Sequence, residues 1–141
     1  MSVQWKEQRF GNLLIGGTRN GIYKQKQWHG RGQKIVNMGE LFAHSRLASI
    51  EMKRVELTDK EKEKSLLLKG DLIFARRSLT AEGAGKCAII MDIDEDTTFE
   101  SSIIRARLDQ TRCDPLFYYY FFSSSRGKYL LGTILRQVAV S

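Results

Sequence analysis

Gly70-Asp-Leu-Ile-Phe-Ala75 and Cys87-Ala-Ile-Ile-Met91 are the stretches whose reading decides the fold. Leu72-Ile-Phe-Ala75 and Cys87–Met91 are unbroken apolar runs of strand length, the pattern of strands covered on both faces. The Gly-bearing segment 76–86 joins them, and a long hairpin is the simplest connection. Further on, Ile104, Ala106 and Leu108 alternate with Arg105 and Arg107, which predicts a strand with one basic face. Asp114-Pro115 reads as a helix start, with Asp as N-cap and Pro at the first helical position. The run Leu116–Phe122 is apolar all round, so that helix is expected to be buried. Ser123-Ser-Ser125 breaks it, and Leu130, Leu131, Ile134, Leu135 and Val138 then recur on one helical face.

Upstream of the hairpin the signals are shorter. Phe10–Gly17 reads as a short apolar element stopped by Gly16-Gly17, and Thr18 to Gln33 as a long loop or irregular ribbon. Lys34-Ile-Val-Asn-Met38 and Val55-Glu-Leu57 are short strands. Thr58-Asp-Lys-Glu61 is a capping box, opening a short helix expected to end near Leu67, before Gly70. The fold class that results is α+β. It is a single mixed domain with a twisted, largely antiparallel sheet, short helices and a C-terminal helical pair, without repeats or linkers.

The 141 residues fit one domain spanning 1–141. With 42% hydrophobic and 28% charged residues, a packed globule is expected and disorder is not. Collagen and disulfide-knot architectures are excluded by 12 Gly, one Pro and two Cys. No apolar run approaches the ~20 residues of a membrane span. The opening Met1–Glu7 has no secretory-signal pattern, so a soluble, cytoplasmic protein is expected.

The formal charge is +7, and it is unevenly placed. Between Glu7 and Glu40 there is no acid, while Arg9, Arg19, Lys24, Lys26, Arg31 and Lys34 fall inside. Such a field favours encounter with a polyanion, and Tyr23, Trp28, Asn20 and several Gln within it suit nucleic acid. The stretch lacks the apolar stripe of an interfacial helix, so a membrane partner is not expected.

Enzymatic motifs fail on spacing. Gly83-Ala-Gly85-Lys86 suggests a phosphate loop, but the first Gly of GxxxxGK[ST] would fall at Thr80, and Cys87 stands where Ser or Thr belongs. Asp114-Pro-Leu-Phe117 approaches the [DN]-P-P-[YF] motif of amino-methylating enzymes, with Leu116 replacing the second Pro. Glu51-Met-Lys53 is the sole Glu-x-Lys, and no Asp precedes Asp59 to complete a nuclease metal site. Cys87, Cys113, His29 and His44 form no zinc-spaced pair, and both cysteines read as packing residues in a reducing compartment. No catalytic constellation, metal site or cofactor is implied. Polar, basic loop chemistry remains, in Thr18–His29 and in Arg76-Arg-Ser-Leu-Thr80. Arg suits guanine, Asn and Gln suit adenine, and Lys, Ser and Thr suit phosphates.

Several stretches, in order, carry a family resemblance. Gly70–Ser78 resembles the "GD-I/L-L/I-F/I-x-R" strand of target recognition domains in the specificity subunits of type I restriction–modification enzymes. Gly85-Lys-Cys-Ala-Ile-Ile90 is similar to the strand that follows, and Glu100–Asp109 to the next. Asp114–Ser124 resembles the family's "D-P-x-F/Y-L-x-Y-x-F-x-S" helix, and Phe10-Gly-Asn-Leu13 with Thr18-Arg-Asn-Gly-Ile22 its start. The resemblance covers about residues 9–137.

It implies a non-catalytic module reading one half of a split double-stranded DNA target. Methyltransferase subunits, and through them restriction subunits, would be its partners. A complete specificity subunit has two such domains and long spacer helices, so this chain reads as a single recognition half. Under that resemblance the candidate DNA contacts are Arg19, Asn20, Tyr23, Lys24, Lys26 and Arg31 from the first basic loop. Arg76, Arg77 and Ser78 come from the second, with Lys86 and Lys128 as phosphate contacts. The aromatic cluster Tyr118–Phe122 is expected to be core. Two other readings stay open: a truncated relative acting by binding methyltransferase subunits, and the recognition domain of a single-chain restriction–methylation enzyme.

Overall fold

The computed structural model describes residues 9–76 and 86–131. Its elements are β1 (Leu14–Asn20), β2 (His29–Val36), α1 (Met38–Ala43), β3 (Arg46–Leu47), β4 (Arg54–Val55) and α2 (Asp59–Ser65). They continue with β5 (Leu72–Ala75), β6 (Cys87–Ile90), β7 (Thr97–Phe99), β8 (Ile103–Leu108) and α3 (Pro115–Ser123). A further helical stretch covers 125–131, which makes the C-terminal helical pair. The architecture is α+β with mostly antiparallel pairing. Where one sheet was expected there are two, ordered β1-β8-β5-β6-β3 and β4-β2-β7.

The expected hairpin is the centre of the larger sheet. Leu72, Ile73 and Phe74 face Ile89, Ala88 and Cys87, and all eight residues of β5 and β6 are buried. Successive strand residues point to opposite faces, so one run feeds two cores. Leu72, Phe74, Cys87, Ile89, Ile104 and Ala106 pack against Tyr119 and Phe122 of α3. The Phe74 and Phe122 rings meet edge to face at 5.4 Å. On the other side, Ile73, Ala75, Ala88, Ile90 and Ile103 pack against Val36, Leu41, Leu47 and Phe99. Truncating any of these isoleucines to Ala is worth about 2–5 kcal/mol.

Both helix starts anticipated from sequence are present. The Thr58 hydroxyl accepts from the Glu61 amide at 3.2 Å, while Glu61 accepts from the Thr58 amide at 2.9 Å. Asp114 caps α3 by accepting the Leu116 amide at 3.0 Å.

Three expectations are corrected and one is narrowed. Gly16-Gly17 does not stop the first element: β1 runs through both glycines, whose φ of 73° and 68° form a bulge between Leu14 and Thr18 against β8. Of Thr18–Gln33, expected to be a long loop or irregular ribbon, β1 takes the first three residues and β2 the last five, which confines the irregular ribbon to the residues between them. Met38 does not end a strand but opens α1, where the Glu40 carboxylate accepts the Asn37 amide at 2.9 Å. Finally, α3 is not buried all round: Tyr119 and Phe122 enter the core, whereas Phe117 and Tyr120 stay 63% and 55% exposed. Uniform apolarity says that a helix has a buried face but not which residues lie opposite it.

Candidate nucleic-acid interface

The two groups of candidate residues are positioned by different parts of the fold. Antiparallel pairing brings the end of β1, the end of β5 and the starts of β6 and β8 to one end of the larger sheet. Arg19 and Asn20 finish β1 there, and both are exposed. Arg76 follows β5 directly, and its amide donates to the Ser102 carbonyl at 2.8 Å in the turn before β8. Lys86 precedes β6, its ammonium 3.0 Å from the Ser45 hydroxyl just ahead of β3. The Arg76 Nε is buried without a hydrogen-bond partner among the described residues. Arg77 and Ser78 lie outside the described residues.

The chain then leaves β1 through a tight crossing. The Gly21 and Ile22 amides donate to the Ile103 and Phe99 carbonyls at 3.0 and 2.9 Å. A Cβ at Gly21 would overlap the Glu100 carbonyl, so only glycine passes. Beyond it, residues 23–31 form an ordered ribbon rather than a loose loop. Lys24 pairs with Glu61 at 2.6 Å and lies over the Trp28 ring, 5.0 Å from its centroid. A ring nitrogen of His29 bonds the Lys24 carbonyl at 2.9 Å, and the Glu56 amide donates to the Trp28 carbonyl at 2.8 Å. Arg31 pairs with Glu56 at 2.6 Å.

Glu61 therefore serves two structures at once. Burial alone would push its carboxyl up, but the hydrogen bonds from Lys24 and Thr58 outweigh this and hold it below the usual carboxylate range. The helix cap of α2 and the ribbon share one carboxylate.

The acid-free stretch of sequence is thus not an acid-free surface. Acids from later in the chain meet Lys24 and Arg31, and Lys34 sits 3.9 Å from Asp94 and 3.8 Å from Glu95. Arg54 also pairs with Glu95, at 2.5 Å. The hydrogen bond from Arg54 is the main reason the Glu95 carboxyl lies below its ordinary value. Arg19 and Lys26 make no ion pair among the described residues, and Tyr23 is open to solvent. Lys128 is exposed on the 125–131 helical stretch.

The expected basic face of β8 does not face solvent. Arg105 is 8% exposed and donates to the Lys64 and Leu66 carbonyls at 3.2 and 3.3 Å, closing the C-terminal end of α2. Arg107 holds buried Asp71 through two hydrogen bonds of 2.9 and 2.8 Å and reaches the Leu66 carbonyl at 3.0 Å. Burial, then the neighbouring Arg107, lowers the Arg105 guanidinium, with Asp71 opposing them.

Sequence reasoning missed Arg46, which opens β3, bonds the Tyr120 hydroxyl and lies 5.5 Å from that ring's centroid. A lone Arg in an unassigned stretch carries no signal for such a role. Cys87 is buried as expected, which pushes its thiol up to about 12, whereas Cys113 is half-buried. Among the described residues no helix is long and apolar enough to cross a membrane. No family model matches the chain, and no curated protein matches it.

Proposed function

We propose that the chain is a sequence-specific double-stranded DNA-recognition module that carries no chemistry of its own. In this reading it recognises one half of a bipartite target for a type I restriction–modification enzyme, as a specificity subunit or a part of one. It works in the cytoplasm, where methyltransferase subunits, and restriction subunits through them, act on the DNA it selects. The supporting observation is the sheet end where Arg19, Asn20, Arg76 and Lys86 arrive from three strands of one rigid sheet. Arg can bond guanine bidentately, Asn suits adenine, and Lys sets register on phosphate. Arg19 and Asn20 on β1, and Arg76 and Lys86 directly at strand ends, hold such a pattern better than side chains on free loops.

The test is selection from a randomised duplex pool with the full chain, at low and moderate salt, followed by sequencing and anisotropy on the retained motif. Enrichment of a short motif, weakened about tenfold or more by Arg76→Ala or Arg19→Ala, is the expected result. Retention without enrichment would reduce the reading to a basic surface.

A second reading rests on the open flank of α3, where Phe117 and Tyr120 stay exposed. It makes the chain a binder of methyltransferase subunits without DNA affinity, and co-purification with such a subunit in the absence of DNA distinguishes it.

A further inference from the structure

Tyr23 and Trp28 are large aromatic side chains left open on the ribbon, 79% and 40% exposed. Neither belongs to a core cluster. The residues flanking Tyr23 and the backbone of Trp28 are tied down. Ile22 bridges to Glu100, Lys24 is tied to Glu61, the Trp28 amide donates to the Gln25 carbonyl at 3.0 Å, and the Glu56 amide, just after β4, donates to the Trp28 carbonyl at 2.8 Å. Rigid, exposed aromatics cost little entropy to immobilise, which is what a stacking contact requires.

The charge around them favours an anionic partner. The carboxylates that reach the ribbon, Glu56 and Glu61, are already neutralised by Arg31 and Lys24, while Lys26 between the aromatics is unpaired among the described residues. A polyanion approaching this surface meets spare positive charge and two aromatic rings. A protein partner of ordinary composition gains nothing from that charge.

We infer that the 23–28 ribbon is a stacking platform for a nucleobase outside the duplex stack, with Tyr23 and Trp28 as its contacts and Lys26 on the adjoining phosphate. The inference rests on the DNA-binding reading and goes beyond it. A base inside a perfect duplex exposes no face, so the platform engages DNA only where a base is unpaired or extruded. The ammonium of Lys24 sits over the Trp28 ring and fixes its orientation.

The experiment uses the full chain carrying Trp5→Phe, which leaves Trp28 as the sole tryptophan. Three probes are compared at low salt: a short mixed-sequence duplex, the same duplex with one unpaired adenine, and its single strand. The platform predicts tighter binding of the duplex with the unpaired adenine than of the perfect one, with quenching of Trp28 emission only by probes that offer a free base. Trp28→Ala should weaken binding of that duplex by about tenfold and leave the perfect duplex unchanged, and Tyr23→Ala should weaken the duplex with the unpaired adenine more than the perfect one. Trp28→Phe keeps an aromatic face and should keep most of the affinity, so it carries the test if the Ala variant unfolds. Equal losses on both duplexes, or no preference between them, would overturn the platform while the duplex reading stands. Binding to none of the three probes would overturn both.

Discussion

Arg19 and Arg105 stand opposite each other across the β1–β8 ladder, yet they belong to different worlds. Arg105 is buried and spends its donors on the last carbonyls of α2; Arg19, on the sheet's edge, has no ion pair among the described residues. From sequence, Arg19 falls in a loop or irregular ribbon and Arg105 on the basic face of a strand, and the fold reverses which of the two is open to solvent. What separates them is what they meet: the carbonyls at the end of α2 come down on Arg105, and no such partner reaches Arg19 at the edge among the described residues. Charge in the interior holds the fold, and charge at the rim is free for a partner.

The comparison breaks most visibly if the interior pairing is removed. Asp71→Ala strands the Arg107 guanidinium and frees the Leu68 amide, which Asp71 accepts at 2.8 Å. The expected loss is about 3–5 kcal/mol in urea unfolding. Arg105→Met removes the guanidinium that lies over Phe99 and orphans the Lys64 and Leu66 carbonyls, and is expected to cost roughly 2 kcal/mol by the same measurement.

Acid sharpens the contrast next. Glu61, Asp94, Glu95 and Asp109 all titrate below their ordinary values. A depressed carboxylate stabilises the fold above its unfolded pKa and loses that contribution as pH falls through the folded one. Stability should decline below about pH 4.5. Glu61→Gln should remove part of that decline, read as a flatter melting temperature against pH. At the alkaline end the sign reverses, because the raised thiol of Cys87 favours the fold up to about pH 9 and withdraws that support as pH rises toward 12.

The smallest stability effect belongs to the rim. Arg19→Ala is expected to shift unfolding by less than about 0.5 kcal/mol. If it contacts DNA, affinity should nonetheless fall, with a shallower salt dependence if the contact is to phosphate. A large loss of stability would instead place Arg19 with Arg105 as a structural residue.

The parts of the fold legible in sequence were those written locally. The β5–β6 hairpin, the Thr58–Glu61 cap and the Asp114-Pro115 start each need only neighbours in the chain to form. Even α1 carries such a signature in Asn37-Met-Gly-Glu40, hidden by its six-residue length and by Gly39. What was not legible depends on distant partners. The partners of Lys24 and Arg31, Glu61 and Glu56, lie 37 and 25 residues away, so an acid-free stretch could look like an acid-free surface. The same holds for the candidate site. Arg19 and Arg76 reach the same end of the larger sheet, on either side of β8, through ladder register that no local spacing encodes.

The paired glycines of β1 have a consequence for how the molecule keeps to itself. β1 is the seven-residue edge of its sheet, and a straight strand of that length would offer an unbroken row of amides and carbonyls to the same strand in another molecule. The left-handed turn of Gly16 and Gly17 interrupts that row midway. Side chains at both positions would press the backbone toward extended geometry and restore that continuous row, so the bulge guards the β1 edge against pairing with a second copy.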